Sequence, residues 1–244
     1  MNPTRLLLAA PALLLCGLAT AGAHAQERAA NCSGVPSAGQ LKQLLVAAPS
    51  HGGDAGGLFN GTRMWAAVVN RNGELCAFAT SMADATQVWP GSQAIAKAKA
   101  YTANAFSLDV LALSTAMLYT FTQPGHSLWG LNQSNLFNPE FLAPPSGEGG
   151  GKGEIAGGII TFGGGVALYS GGRVVGGLGI SGDTACTDHE IAKRVRDEAG
   201  MNPPNSDDIS YSSVDGPSVF SHPLCPNTFR NGVFIGNEPN ASGY

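Results

Sequence analysis

The sequence predicts an α+β fold, an antiparallel sheet with helices packed on it in one domain. Three observations carry this. Residues 65–79 and 166–180 each read as two short apolar strands joined across a tight turn. Helical periods precede, separate and follow these two hairpins. The resulting order, αββα…ββα, shows no repeat of the solenoid kind.

In chain order, Ser37 is placed to cap a helix on which Leu41, Leu44, Leu45 and Ala48 share a face, and Pro49 stops it. A glycine-rich loop covers residues 50–62. Trp65 to Val69 and Leu75 to Ala79 are the first strand pair, with Asn70-Arg71-Asn72-Gly73 as the turn, since Asn-Gly accepts positive φ. From Ser92 the period turns helical, and Ile95, Ala98, Thr102 and Ala105 form a small apolar face suited to close packing. Asp109 to Tyr119 is expected to continue as a second helix with Val110, Leu113, Met117 and Leu118 inward, ended by Pro124-Gly125. Residues 122–157 are turn-rich, a long inserted loop of the kind that carries function or a subunit contact. Gly157 to Thr161 reads as an approach strand. Val166 to Tyr169 and Arg173 to Ile180 make the second hairpin across Ser170-Gly171-Gly172. Thr187 and Glu190 fit a capping box for a last helix, with Ile191, Ala192, Val195 and Ala199 inward and Gly200 and Pro203 ending it.

Residues 1–25 read as a cleavable signal peptide. Arg5 supplies the positive start, Leu6 to Leu18 the apolar run, and Ala23-His24-Ala25 the small residues before a cut that leaves Gln26 first. The expected organisation is then a leader (1–25), an N-terminal segment (26–36), the domain (37–200) and an irregular C-terminal extension (201–244), in a periplasmic or secreted product. Only 12% of residues are charged and the net charge is −4, with no basic stripe, which excludes nucleic acid as a natural partner.

Export sets how the cysteines read. Cys32, Cys76, Cys186 and Cys225 remain after cleavage, an even number that permits two bridges in three pairings. Cys186-x-x-His189 and His222-x-x-Cys225 also carry the residue types of a tetrahedral zinc site. An oxidising compartment favours a Cys186–Cys225 disulfide over thiolate ligands, which leaves Cys32–Cys76 as the second bridge.

Several residues are candidates for ligand binding. His126 stands in the long loop beside Trp129 and Phe137, aromatic company that suits a flat ligand, a packed loop or a subunit contact. His189, near a helix N-terminus, is expected neutral and so able to ligate a metal, or else to be a surface or capping-turn residue. His51 lies in glycine-rich loop. Met64, Met82 and Met117 have the positions of core residues. Lys97 and Lys99 stand on an otherwise small, apolar helix; one would pair a carboxylate such as a propionate, or both reach solvent along the surface. Gly163-Gly164-Gly165 is followed by a strand, not a helix, so it is read as a turn for close backbone approach to a ligand or subunit rather than a phosphate cradle. Ser181, Asp183 and His189 supply triad residue types, but no Gly-x-Ser-x-Gly elbow is present, so no catalytic residue is assigned. There is no Cys-x-x-Cys-His, so covalent c-type haem attachment is not supported.

The stretches Phe162-Gly163-Gly164-Gly165-Val166-Ala167-Leu168-Tyr169 and Gly172 to Gly182, followed by Asp188-His189-Glu190-Ile191-Ala192, resemble the C-terminal signature of the GlcG/HbpS-like (haem-binding, haem-degrading domain) family. Val68 to Gly73 and Lys97 to Ala103 resemble its first hairpin and central helix. The resemblance spans Leu41 to Ala199, and the Cys186 and Cys225 segments suggest an exported, cysteine-bearing branch. It implies a profilin-like domain, a sheet sandwiched by helices, that assembles into homo-oligomers. It also implies haem or a related tetrapyrrole, held non-covalently, as ligand for some members, with His126 and His189 the candidate iron ligands here. The family's iron ligands differ among members and are not carried over. The functions in view are therefore an exported tetrapyrrole-binding protein, a haem-degrading or other small-molecule enzyme, and a disulfide-stabilised oligomeric partner of a membrane sensor.

Overall fold

The computed structural model describes residues 31–141 and 151–239. The expected signal peptide, its cleavage site after Ala25 and the residues that follow to position 30 lie outside the described residues. Helix α1 is Ala38–Ala47, and Ser37 caps it in a reciprocal box with Gln40. Strands β1 (Trp65–Asn70) and β2 (Leu75–Thr80) form the first hairpin. Gly73 closes its turn at φ 85°, with its N–H on the Asn70 carbonyl. Helix α2 is Ser92–Phe106 and a one-turn helix α3 is Leu131–Ser134. Strands β3 (Gly165–Ser170) and β4 (Arg173–Ser181) form the second hairpin, and α4 is Ala185–Glu198.

The four strands make one antiparallel sheet in the order β2-β1-β4-β3. Alternation along β1 sorts the core into two layers. Trp65, Ala67 and Val69 face α2, where Trp65 stacks on Phe78 with ring centroids 5.1 Å apart. Ala66 and Val68 face the opposite layer, where Leu41 and Leu45 of α1 and Ile191, Ala192 and Val195 of α4 complete the packing. The disulfide Cys32–Cys76 ties the N-terminal segment to β2.

Helix α2 lies so close to β4 that backbone meets backbone. A Cβ on Gly179 would stand 2.0 Å from the Ala96 carbonyl oxygen, and one on Gly177 would stand 2.2 Å from that of Ala100. The seam against the sheet is therefore Ala96, Ala100 and Asn104. The face anticipated from sequence, with Ile95, Ala98 and Thr102, turns instead to the long segment: Thr102 Oγ1 receives the Ile160 N–H at 3.0 Å, and Ala105 is exposed.

Three further expectations are corrected. Residues 109–119 do not form an α-helix. Leu108 and Leu111 close a turn on each other, the Ser107 hydroxyl receives the Leu113 N–H, and only a 3-10 turn at Thr115–Leu118 follows. The helical spacing there was a coincidence of loop residues, and Val110 is 83% exposed. Residues 157–161 are extended but make only an isolated bridge, Phe137 to Gly157. Helix α4 is capped by Thr184, not Thr187; the Thr184 hydroxyl receives the Thr187 N–H, which puts Thr187, Asp188 and His189 inside the helix.

After α4 the elements are short. Strands β5 (Ser210–Tyr211) and β6 (Ser221–His222) pair in parallel. Helix α5 (Ser212–Asp215) lies between them, and β7 (Thr228–Arg230) with β8 (Val233–Gly236) makes a small hairpin. The disulfide Cys186–Cys225 pins this region to the start of α4. Among the described residues no helix is long and apolar enough to cross a membrane.

Candidate functional site

The start of α4 collects a cluster of buried polar groups. Asp183, just before the cap, receives N–H bonds from Leu58 at 2.6 Å and Phe59 at 2.8 Å, so the glycine-rich loop is laid on this helix end. Asp188 follows inside the first turns. Its Oδ1 receives the Asp183 N–H at 2.9 Å, and its Oδ2 receives Lys99 Nζ at 2.7 Å. Lys99 also donates to the Ile180 carbonyl at 2.9 Å and lies 4.8 Å from the centre of the Phe162 ring. Both charged side chains are buried. Burial pushes the Asp188 carboxyl up to about 6 and the Lys99 ammonium down, in each case against the attraction of the partner.

Gly163, Gly164 and Gly165 are the floor of this cluster. Gly164 has φ +117°, and a Cβ there would meet the Ile180 carbonyl oxygen at 2.5 Å and Lys99 Nζ at 2.6 Å. The neighbours that require bare backbone are thus groups of the same chain: the Ala185 carbonyl at Gly163, Lys99 at Gly164 and Thr115 at Gly165.

Two histidines complete it. His189 is 2% exposed, and neither ring nitrogen has a hydrogen-bond partner among the described residues. Burial first, then the nearby Lys193 charge, holds its pKa well below the ordinary value, so the ring is neutral. The alternative of a surface residue is not what the structure shows. His222 donates from Nδ1 to the Pro223 carbonyl at 2.7 Å, and its Nε2 receives the Gly163 N–H at 3.3 Å. Burial lowers its pKa to about 4. The Tyr119 ring centre stands 5.0 Å from that of His222. Cys186 and Cys225 adjoin it as a disulfide, with a 5.9 Å Cα separation.

The second region is the long segment between α2 and β3. His126 is exposed there, and its ring makes no interaction among the described residues. Trp129 is 63% and Leu136 77% exposed, both on the same stretch. A cleft of about 200 Å³ runs between this segment and α2, lined by Ile95, Ala98, Asn132, Leu136, Phe137 and Ile159.

Lys97 and Lys99 are both interior. Lys97 donates to the Phe141 carbonyl and lies 4.5 Å from the centre of the Phe78 ring, and burial lowers its ammonium to about 8. The expected surface lysines were a misreading of a helix covered on both sides. Gly163, Gly164, Gly165 and His189 come together at α4; Lys97 and His126 make none of those contacts. The Lys99–Asp188 pair was missed because its members are 89 positions apart, although a lysine on an otherwise small, apolar helix was the visible clue. His51 pairs with Glu198, and Met64 and Met117 are core.

A family model described as "Haem degrading protein HbpS-like" matches residues 42–197. No curated protein matches the chain. Similar solved structures include a PduOC–haem complex, 24% identical with a TM-score of 0.48, covering 68% of this chain and 94% of that one. Protein ORFY of Klebsiella pneumoniae is 23% identical with a TM-score of 0.44, covering 66% and 86%. A double mutant of HbpS from Streptomyces reticuli is 19% identical with a TM-score of 0.45, covering 82% and 100%.

Proposed function

The chain belongs to the HbpS-like family, and from that premise we propose that it is an exported protein that binds haem non-covalently at its surface, with His126 as the iron ligand. The observation that carries the choice is His126 itself. Among the described histidines, His51 is paired, His189 and His222 are buried, and only His126 offers an unengaged imidazole to solvent. A neutral imidazole nitrogen is an established axial ligand.

The residues present fit a haem held against the surface rather than enclosed. The cleft beside the long segment holds about 200 Å³, below the roughly 300–1,000 Å³ of sites that swallow a small molecule. Exposed Trp129 and Leu136 supply apolar area on which a porphyrin face is removed from water. Bound haem would supply a redox-active iron. The chain's own part is to present the imidazole, to shield one porphyrin face and to leave the other to solvent or to a second copy of the chain. The reading is one of binding rather than turnover, because the titratable pair Lys99 and Asp188 is packed away from solvent.

The test is a hemin titration of the chain beginning at Gln26, following the Soret band. A saturable shifted band is expected, with affinity weakened at least about tenfold in His126→Ala, the loss of one metal ligand bond, and unchanged in His189→Ala. A band that survives His126→Ala at full affinity sinks the assignment.

A further inference from the structure

We propose that reduction of the Cys186–Cys225 disulfide uncovers a closed tetrahedral zinc site formed by Cys186, Cys225, His222 and His189. This stands apart from the haem reading and uses none of its residues except the comparator His189.

Three of the four ligand atoms are already gathered, and His189 completes the set by turning its ring toward them. The two sulfurs and a ring nitrogen of His222 lie within 4.8 Å of one another, and all three residues are buried. Zinc with bonds of about 2.3 Å to sulfur and 2.0–2.1 Å to nitrogen sets ligand-to-ligand separations of roughly 3.3–3.8 Å. A nitrogen-to-sulfur separation at the 4.8 Å limit must therefore close by about an ångström, while the sulfurs, no longer bonded, part around the ion. His222 is held as such a ligand needs to be. Its Nδ1–H is committed to the Pro223 carbonyl, which orients the ring and leaves the Nε2 lone pair for a metal. That lone pair now receives only a long 3.3 Å bond from Gly163.

The independent observation is His189. It stands three residues after Cys186 on α4, hence on the same face. It is 2% exposed with both ring nitrogens unpartnered among the described residues. Buried polar atoms in folded proteins almost always have a partner, and a metal bond would give this one its missing contact. Its Cβ borders Gly163, the residue whose N–H reaches His222, so both imidazoles adjoin the same glycine. The Cys186 N–H, at the start of the helix, already points to Cys225 Sγ at 3.1 Å and would stabilise a thiolate there.

The chemistry balances with a dithiol as reductant. The dithiol transfers two electrons, the Cys186–Cys225 bond breaks, two cysteine thiols form, and the dithiol leaves as its own disulfide. Zinc then displaces the two thiol protons to solvent. Two thiolates and Zn²⁺ sum to zero charge, which a buried site tolerates, and four protein ligands leave no open position. The site would be structural, holding the region after α4 to the domain when the disulfide cannot.

The experiment uses the chain from Gln26 in a Cys32→Ser/Cys76→Ser background, reduced with dithiothreitol, freed of reductant under anaerobic conditions and titrated with Co²⁺ as a spectroscopic stand-in, then with Zn²⁺. The expected result is one Co²⁺ per chain with tetrahedral d–d bands and a thiolate charge-transfer band. Zn²⁺ should displace it, and the oxidised chain should bind at least 100-fold more weakly. His189→Ala should weaken Co²⁺ at least tenfold and alter the d–d bands, which a purely packing role would not do. Absence of a saturable tetrahedral spectrum in a folded reduced chain overturns the proposal, as does an undiminished spectrum in Cys186→Ser. If reduction alone unfolds the chain, recovery of its circular dichroism on adding one equivalent of Zn²⁺ supports the site. Failure to recover counts against it.

Discussion

Replacing Lys99 by methionine keeps the length of the side chain and removes the cation that Asp188 meets at 2.7 Å. Asp188 is 2% exposed, so water does not replace the lost partner. The carboxyl must then take up a proton on folding. Carrying it protonated at pH 7, when its unfolded value is 3.8, costs about 1.4 kcal/mol per pH unit, a ceiling of about 4 kcal/mol. The wild-type chain already bears part of that, because burial raises Asp188 to about 6. The Ile180 carbonyl also loses its Lys99 donor, so a net loss of about 3 kcal/mol is expected, in the range for breaking a buried pair. The sign with pH follows. A raised folded pKa means the folded chain keeps a proton that the unfolded chain releases, so stability falls as pH rises above 3.8. The proton-linked part of the Lys99→Met penalty is therefore present at pH 7 and gone near pH 4, where only the cost of the unpaired Ile180 carbonyl, about 1–2 kcal/mol, remains. Lys99→Met/Asp188→Leu buries no charge and should lie within about 1 kcal/mol of wild type or above it. Urea unfolding followed by the fluorescence of the described tryptophans, among them buried Trp65, reads all three. A Lys99→Met cost that does not change between pH 4 and 7, or a double variant that loses the sum of the two single losses, would refute the reasoning.

Gly179→Ala should lose about 3 kcal/mol in the same assay, because its Cβ would stand 2.0 Å from the Ala96 carbonyl oxygen and neither backbone can yield; a loss under about 1 kcal/mol would mean that α2 is free to lift. Hydrogen bonding to Arg230 lowers Asp215 to about 2. That pair contributes above pH 4 and loses its contribution as pH falls toward 2, so Asp215→Asn should cost under about 1 kcal/mol at pH 7 and nothing at pH 2, checked by thermal unfolding. Removing the Cys32–Cys76 bridge, which closes a sequence separation of 44, should cost about 2–4 kcal/mol in Cys32→Ala/Cys76→Ala; an unchanged Tm would show that the N-terminal segment is held by other contacts.

The hairpins were legible because their information is local. Gly73 after Asn72, and Gly171 with Gly172, take the left-handed φ their turns need, and the flanking residues are short apolar runs. The capped start of α1 was legible for the same reason. What escaped was long-range. Whether Lys99 faces water or core depends on Asp188 and on Phe162, which arrive from other elements. The apolar spacing at 109–119 mimicked a helix, yet the Ser107 hydroxyl and the turn at Leu108 and Leu111 take the backbone bonds a helix would use. Thr184 caps α4 in place of Thr187, its hydroxyl receiving the Thr187 N–H. Of the candidate site residues, His126 lies in the loop its sequence suggested and is exposed there, whereas His189 was drawn inward because α4 starts three residues earlier than its sequence implied.

A four-stranded sheet has two borders, and each is a template on which another chain's strand can grow. Here neither border is bare. All six residues of β2 and five of six in β3 are buried, although both strands lie at the rim of the sheet. At β2 the Leu75 N–H and carbonyl are both taken, by Glu154 and Gly153 of the long segment. At β3 the Tyr169 N–H is taken by the Met201 carbonyl just past α4. Loops thus act as end stops, blocking the runaway strand addition that leads to fibrils. A chain built this way would associate through side-chain surfaces, which can be selective, rather than through sheet borders, which cannot.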